Sequence, residues 1–231
     1  MQDLETHSIT DEQELLFQVA LTFIPQVGAV TARTLLSYCG SPEAVFRASR
    51  RSLLTIPGIG PKTVANIKQP SVLEEAEQEV RFLSKKGIRP LFFTHPNYPR
   101  RLRHYSDAPI VLYLHGQVDL NAGRVVAMVG TRTPTPYGRM AVDQIIEGLK
   151  PYSPLVVSGL AYGIDIHAHR ACLRHRIPTV GVLGSGHQHL YPAAHASVAR
   201  DMLSRGGLLT EFPSPTKPDR ENFPMRNRII A

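Results

Sequence analysis

Two hydrophobic periods divide the chain. Up to about residue 70, apolar positions recur at the three- and four-residue spacing of one helix face, as in DEQELLFQVALTFI and VTARTLLSYC, and predict short helices. Residues 72–86, VLEEAEQEVRFLSKK, keep that spacing with acids early and lysines late, the polarity that a helix dipole favours. IRPLFF then reads as an edge strand, HPNYPRRLRHYSDAP as an irregular basic loop and IVLYL as another strand. From Arg124 the pattern becomes regular: RVVAMV, LVVS, TVGVL and GLLTEF alternate with the longer amphipathic stretches PYGRMAVDQIIEGLK, IDIHAHRACLRHR and AAHASVARDMLSR. Apolar strands with no polar face must be covered on both sides, and their alternation with helices is the signature of a parallel sheet. The fold class expected is therefore α/β, an extended Rossmann-like parallel sheet preceded by a small all-α domain. Its divisions are residues 1–70, helical; 71–97, a linking helix and edge strand; and 98–231, the Rossmann-like part.

The helical segment repeats itself. FIPQVGAVTARTLL from Phe23 and TIPGIGPKTVANIK from Thr55 align at an offset of 32, pairing Pro25 with Pro57 and Gly28 with Gly60. Pro57-Gly58-Ile59-Gly60 followed by Lys62 has the form of a helix-hairpin-helix motif, in which glycines admit a phosphate to main-chain N–H groups. Gly58, Gly60 and Lys62 are thus a possible secondary DNA-backbone site. The first copy carries Gln26 where the second has Gly58, so at most one hairpin is expected to be intact. A packing module whose glycines only make turns fits the same residues.

Composition narrows the class. With 42% hydrophobic and 19% charged residues the chain is globular in balance. No run reaches a membrane span, and the polar, acidic start MQDLETHSITDEQE is unlike a secretory leader, so a cytoplasmic location is expected. Cys39 and Cys172 stand apart without metal or redox spacing. Residues 1–99 are electrically balanced, while 100–231 hold 16 basic and 9 acidic side chains, the whole of the +7. A one-sided field of that sign fits a polyanionic partner.

In a parallel sheet ligands sit at the carboxyl ends of the strands. Three consecutive strand ends here carry glycine: VGTRTP with Gly130, Thr131 and Arg132; SGLAYGID with Ser158, Gly159, Gly163, Ile164 and Asp165; and GSGHQHLYP with Gly184 and Gly186. Open on one edge, they would cradle phosphates, and the Arg132 guanidinium suits phosphate oxygens. Asp165 also reads as a helix cap. NFPMRNRIIA adds Arg226, Asn227 and Arg228 beside Phe223, a phosphate and stacking surface or a solvated turn. The G-x-G-x-x-G dinucleotide fingerprint fails at every loop, no phosphate-loop G-x-x-x-x-G-K-[ST] occurs, and Ser158 lacks the G-x-S-x-G setting of a hydrolase. His167 and His169, at i, i+2, point apart on a helix. No cofactor, metal or catalytic group is expected.

VGTRTPTPYG, SGLAYGIDIHAHRACL, TVGVLGSGHQHLYP, GGLLTEFP and NFPMRNRIIA, in this order and with YPRRL…DAPIVLYLHG before them, resemble the DprA/Smf family of DNA-processing proteins. The likeness is strong from about Tyr98 to Ala231. It implies an extended Rossmann fold without known catalysis that binds single-stranded DNA, loads a RecA-type recombinase onto it in natural transformation, and forms a homodimer. It adds His169 to the DNA-binding set. This sequence departs from the family at Gln188, usually acidic, His195, usually asparagine, Thr210, usually serine, and Met225, usually basic. The family continues past RNRIIA, so a further segment, bearing self-association and in many members a winged helix, is expected beyond Ala231. Two rivals stand beside this reading. One is a nucleotide hydrolase on a related scaffold, whose P-G-G-x-G-T-x-x-E loop is absent here; the other is a module in which the N-terminal repeats dock a regulator.

Overall fold

The computed structural model describes residues 12–231; the polar N-terminal stretch, as far as residue 11, lies outside them. The residues group into two compact units. One comprises the chain up to Lys86 with His104–Val111, and the other Gly87–Arg103 with Leu112–Ala231.

The first unit is helical. Helix α1 (residues 12–20) runs into a 3-10 turn at Leu21–Phe23, and α2 (Ala29–Cys39), α3 (Pro42–Arg47), α4 (Arg50–Leu54), α5 (Pro61–Ile67) and α6 (Pro70–Lys86) follow. Serines start the short helices: Ser41 and Ser49 accept hydrogen bonds from the N–H groups of Ala44 and Ser52, each at 3.1 Å. The 32-residue repeat is structural. Gly28 caps α2 and Gly60 caps α5 with nearly the same extended backbone, φ −88° and −93°. Gln26 and Gly58 both adopt positive φ, 62° and 78°. The first hairpin therefore forms despite its glutamine, which corrects the expectation that at most one copy is intact. Asn66 Nδ2 donates to the Pro25 carbonyl at 2.7 Å and ties the copies together. Helix α6, expected as a linker, belongs to this unit, burying Val72, Ala76, Glu79 and Leu83 along one face.

The second unit is built on a six-stranded sheet. Its strands are β1 (Ile88–Phe92), β2 (Val111–Gly116), β3 (Val125–Ala127), β4 (Leu155–Ser158), β5 (Thr179–Val182) and β6 (Gly207–Thr210), in the order β1-β2-β6-β5-β4-β3. Strands β3 to β6 are parallel neighbours, whereas β2 runs antiparallel to β6, so the sheet is mixed at one side. Helices α7 (Pro136–Leu149), α8 (Ile164–His175) and α9 (Ala196–Met202) make the three crossovers. Strands added in chain order through right-handed crossovers put every connecting helix on one face.

The alternation of side chains shows this directly. Val156 packs with Val142, Ile146 and Ala168 under α7 and α8, while Leu155, Val157, Val180 and Val182 point to the other face. That face is closed by α10 (Asn222–Ile230), through Ile229 and Ile230, and by Leu91, Tyr98, Leu112 and Leu120. Residues 222–230, for which a solvated turn was one expectation, are one helix because the apolar face of the sheet is available to Ile229 and Ile230. Each fully buried Val or Leu contributes about 1.5–3 kcal/mol relative to exposure.

Candidate nucleic-acid interface

Because β3, β4 and β5 are adjacent and parallel, their carboxyl ends share one edge of the sheet. The VGTRTP, SGLAYG and GSGHQH loops leave from that edge. Thr135 and Pro136 start α7 in the usual manner, the threonine hydroxyl accepting from the Gly138 N–H at 3.1 Å. Helix α8 has no side-chain cap. Asp165, expected as a cap, sits inside its first turn, and the N-cap position belongs to Gly163 with φ 86°.

The glycines of these loops serve the protein before any ligand. A Cβ on Gly163 would lie 2.1 Å from the Thr131 carbonyl, and one on Gly130 would meet the Ile164 side chain at 2.6 Å. On Gly186 it would lie 2.1 Å and 2.3 Å from the Pro213 and Ser214 carbonyls, and on Gly184 it would strike the Phe223 ring at 2.8 Å. Several main-chain donors are also spent internally: Ile164 N–H on Thr131 O at 3.1 Å and Gly186 N–H on Thr216 O at 2.9 Å. The expected reason for these residues, room for an anion against bare backbone, is thus corrected at Gly163, Gly184 and Gly186. Glycine lets three loops interlock. In the N-terminal unit the opposite holds: nothing lies within 4 Å of a Cβ on Gly58 or Gly60, and Gly58 and Lys62 are exposed.

Beneath the loops lies a buried charge network. Arg226 is 4% exposed, and its Nη1 donates to the Gly159 carbonyl at 2.6 Å and to the Val182 carbonyl. Gly159 must be small, since a Cβ there would fall 2.6 Å from Arg226 Nη1, Arg226 Nη2 and Asp165 Oδ2. Burial raises the Asp165 carboxyl pKa, against which Arg226 and the main-chain groups of Ala161 and Gly159 favour its charge. Burial lowers the Arg226 pKa, Asp165 opposing and the nearby Arg132 adding to the fall. His169, wholly buried, holds Thr179 Oγ1 at 2.7 Å, and burial, His195 and Arg226 push its pKa down to about 3. Ser158 is also fully buried at the end of β4, and Ile164 is buried at the start of α8. Arg228 grips Glu211 bidentately at 2.5 and 2.7 Å, a partner the sequence pattern did not indicate.

Of the expected residues, then, Gly130, Thr131, Arg132 and Asn227 are exposed, while Ser158, Gly159, Ile164, Asp165, His169, Gly184, Gly186 and Arg226 form the floor. The departures at Thr210 and His195 are absorbed structurally. Thr210 Oγ1 donates to Ser185 O at 2.9 Å and accepts from the Phe212 N–H at 3.1 Å, and His195 Nδ1 holds Leu160 O at 2.8 Å.

Above this floor opens a cleft of about 830 Å³ lined by Gly130, Arg132, Asp165, Arg226 and Asn227 together with residues that motif reading left out of the site, Tyr191 and Arg220 among them. Phe223 and Tyr191 meet there with ring centroids 5.9 Å apart, and the Arg226 guanidinium stands 6.0 Å from the Phe223 centroid. Arg132 makes no ion pair among the described residues. Exposed cations beside aromatic faces, in an open groove, suit a flexible polyanion that carries bases. Among the described residues no group of three or more His, Cys, Asp or Glu is placed to hold a metal ion, and no helix is long and apolar enough to cross a membrane.

A family model described as DNA recombination-mediator protein A matches residues 89–231. The chain belongs to this family. A second model, a SAM-like helix-hairpin-helix tandem, matches residues 18–69, the repeated hairpins. Among relatives of the DNA recombination-mediator protein A family, the chain is 35% identical to the DNA processing protein DprA of Bacillus subtilis over 80% of its own length and 65% of the relative's. It is 34% identical to the protein Smf of Synechocystis over 94% of its length and 56% of the relative's. It thus spans less than two thirds of either. Among solved structures, DprA of Streptococcus pneumoniae superposes with a TM-score of 0.60 at 27% identity, covering 88% of this chain and 74% of that one. DprA of Helicobacter pylori, whose structure concerns its single-stranded DNA binding mode, superposes with a TM-score of 0.55 at 28% identity over 62% and 64%.

Proposed function

We propose that this member of the DNA recombination-mediator protein A family binds single-stranded DNA in the cleft at the carboxyl edge of β3 to β5, and delivers that strand to a RecA-type recombinase during DNA uptake. The observation that carries the reading is the cleft itself, where the exposed Arg132 and Arg220 lie beside the rings of Tyr191 and Phe223. The single-stranded DNA binding of the Helicobacter pylori relative supports it. In this reading the guanidinium groups neutralise phosphates and the rings stack on bases, with little sequence readout. Arg226 and Asp165 act from below by holding Gly159 and α10 in place. Binding without catalysis fits the complete burial of Ser158, the hydroxyl weighed as a nucleophile, and of His169. Self-association and a cytoplasmic setting belong to the same proposal, and the exposed Gly58 and Lys62 form a secondary backbone contact.

The decisive measurement is fluorescence anisotropy of labelled single-stranded oligonucleotides over a salt series. The wild type is expected to lose about 0.7 log units of affinity per phosphate contact for each log unit of salt. Arg132→Ala should weaken mixed and homopolymeric strands alike by about tenfold, the worth of a charge-assisted contact. Unchanged affinity in that variant would remove the cleft from the argument. Recombinase delivery is tested separately, by filament assembly on DNA already coated with a single-strand-binding protein.

A further inference from the structure

Arg132 lines a second cavity as well. On the side away from Tyr191 and Phe223 lies a recess of about 410 Å³ bounded by Arg132, Arg139, Tyr162, Gly163, His167 and Arg170. Three exposed guanidinium groups around a space of that size concentrate positive potential there, which attracts an anion. Among the described residues none of the three has a carboxylate partner. Arg139 makes one bond, from Nη2 to the Pro134 carbonyl at 3.2 Å. The carboxylate at hand, Asp143, is already held by Arg174 and by His167 at 3.2 Å.

The surroundings reinforce this polarity. Arg139 lies in the first turn of α7, at the positive end of that helix, and Arg170 stands exposed just past the middle of α8. Gly163, locked against Thr131 and Arg132, keeps the loop after β3 as a ridge between the two cavities, with Arg132 on it. Tyr162, exposed at the rim, has its ring fixed edge-on against His195 at 4.9 Å, so a flat apolar surface stands beside the cations.

We infer that the recess is a second phosphate subsite, in which Arg139 and Arg170 hold the backbone of the same DNA strand after it crosses Arg132 from the aromatic cleft. The inference rests on the proposed single-stranded DNA binding and extends it from one pocket to a path. Its ligand is the phosphodiester of a strand long enough to span the ridge, and a short oligonucleotide filling the aromatic cleft alone does not reach it.

Length dependence makes the test. Anisotropy titrations compare an oligothymidine of about four nucleotides with one of about 16, the range of site sizes for single-strand binders. Wild type, Arg132→Ala and the double variant Arg139→Ala/Arg170→Ala are measured, each first checked for unchanged thermal unfolding, which these exposed positions should preserve. The double variant is expected to weaken the long strand by about tenfold or more, to lower its salt slope by about 1.4 for two lost contacts, and to leave the short strand unchanged. Arg170→Glu should deepen the loss. A double variant that binds the long strand as the wild type does, while Arg132→Ala fails, overturns the second subsite and leaves the aromatic cleft intact. Equal losses with both lengths would place the two arginines in the cleft itself and also overturn it. Loss of neither variant's binding would instead count against the underlying DNA-binding reading.

Discussion

Arg226 is a buried structural arginine, in contrast to the exposed Arg132 that is proposed to bind DNA. Replacing Arg226 with alanine removes the donor to the Gly159 and Val182 carbonyls and leaves Asp165, itself 6% exposed, without its cation. Deleting one partner of a buried pair costs about 3–5 kcal/mol, because the remaining charge stays desolvated. That is a large part of the 5–15 kcal/mol that typically holds a domain together. Urea unfolding at pH 7 should therefore show Arg226→Ala with a much lower midpoint and an unchanged slope. Arg132→Ala, at an exposed site, should stay within about 0.5 kcal/mol of the wild type. Arg226→Met combined with Asp165→Asn should recover much of the loss, since neither charge is then stranded. A cost below about 1 kcal/mol for Arg226→Ala, or one matched by Arg132→Ala, would refute the assignment of Arg226 to the floor of the site.

Two further predictions concern stability. Gln26 holds a left-handed backbone that costs an L-residue about 1–2 kcal/mol, so Gln26→Gly should raise stability by about 0.5–1 kcal/mol after the added freedom of the unfolded chain is counted; no rise in thermal midpoint would contradict this. Burial depresses His169 to about 3 and His187 to about 4 from an ordinary 6.5. Both are neutral when folded and take up protons when unfolded, so stability present above pH 6.5 is lost as pH falls toward 4. The slope is up to about 1.4 kcal/mol per pH unit for each, and Asp165, raised by burial, offsets part of it at the acid end. Unfolding free energies that stay level between pH 7 and pH 5 would be inconsistent with that network.

Much of the fold is written in the period of the apolar residues. The four runs from RVVAMV to GLLTEF become β3 to β6, and the stretches between them become α7 to α9, because nothing long-range competes with so regular a pattern. The antiparallel placement of β2 beside β6 was not legible, since IVLYL reads the same in either direction. The site was legible at its rim and not in its depth. Arg132 and Asn227 face the cleft as residue type and position imply, but Arg226 shares their sequence character and is buried. Long-range neighbours, the Gly159 and Val182 carbonyls that it bonds and the charge of Asp165 close by, decide between these fates. Tyr191 lies in the GSGHQHLYP stretch without a role that its residue type announces, Arg220 lies in no motif, and both line the cleft.

The interlocked glycines make the proposed binding surface a property of the whole C-terminal unit. The turn after β3 leans on the start of α8, the turn after β4 on α10, and the turn after β5 on the segment following β6. No one bend has a shape of its own to be transplanted. A graft of any single turn onto another scaffold would arrive without its supports, whereas an exchange of side chains along the crest, at 132, 139 or 170, leaves the mutual bracing untouched and is free to tune grip.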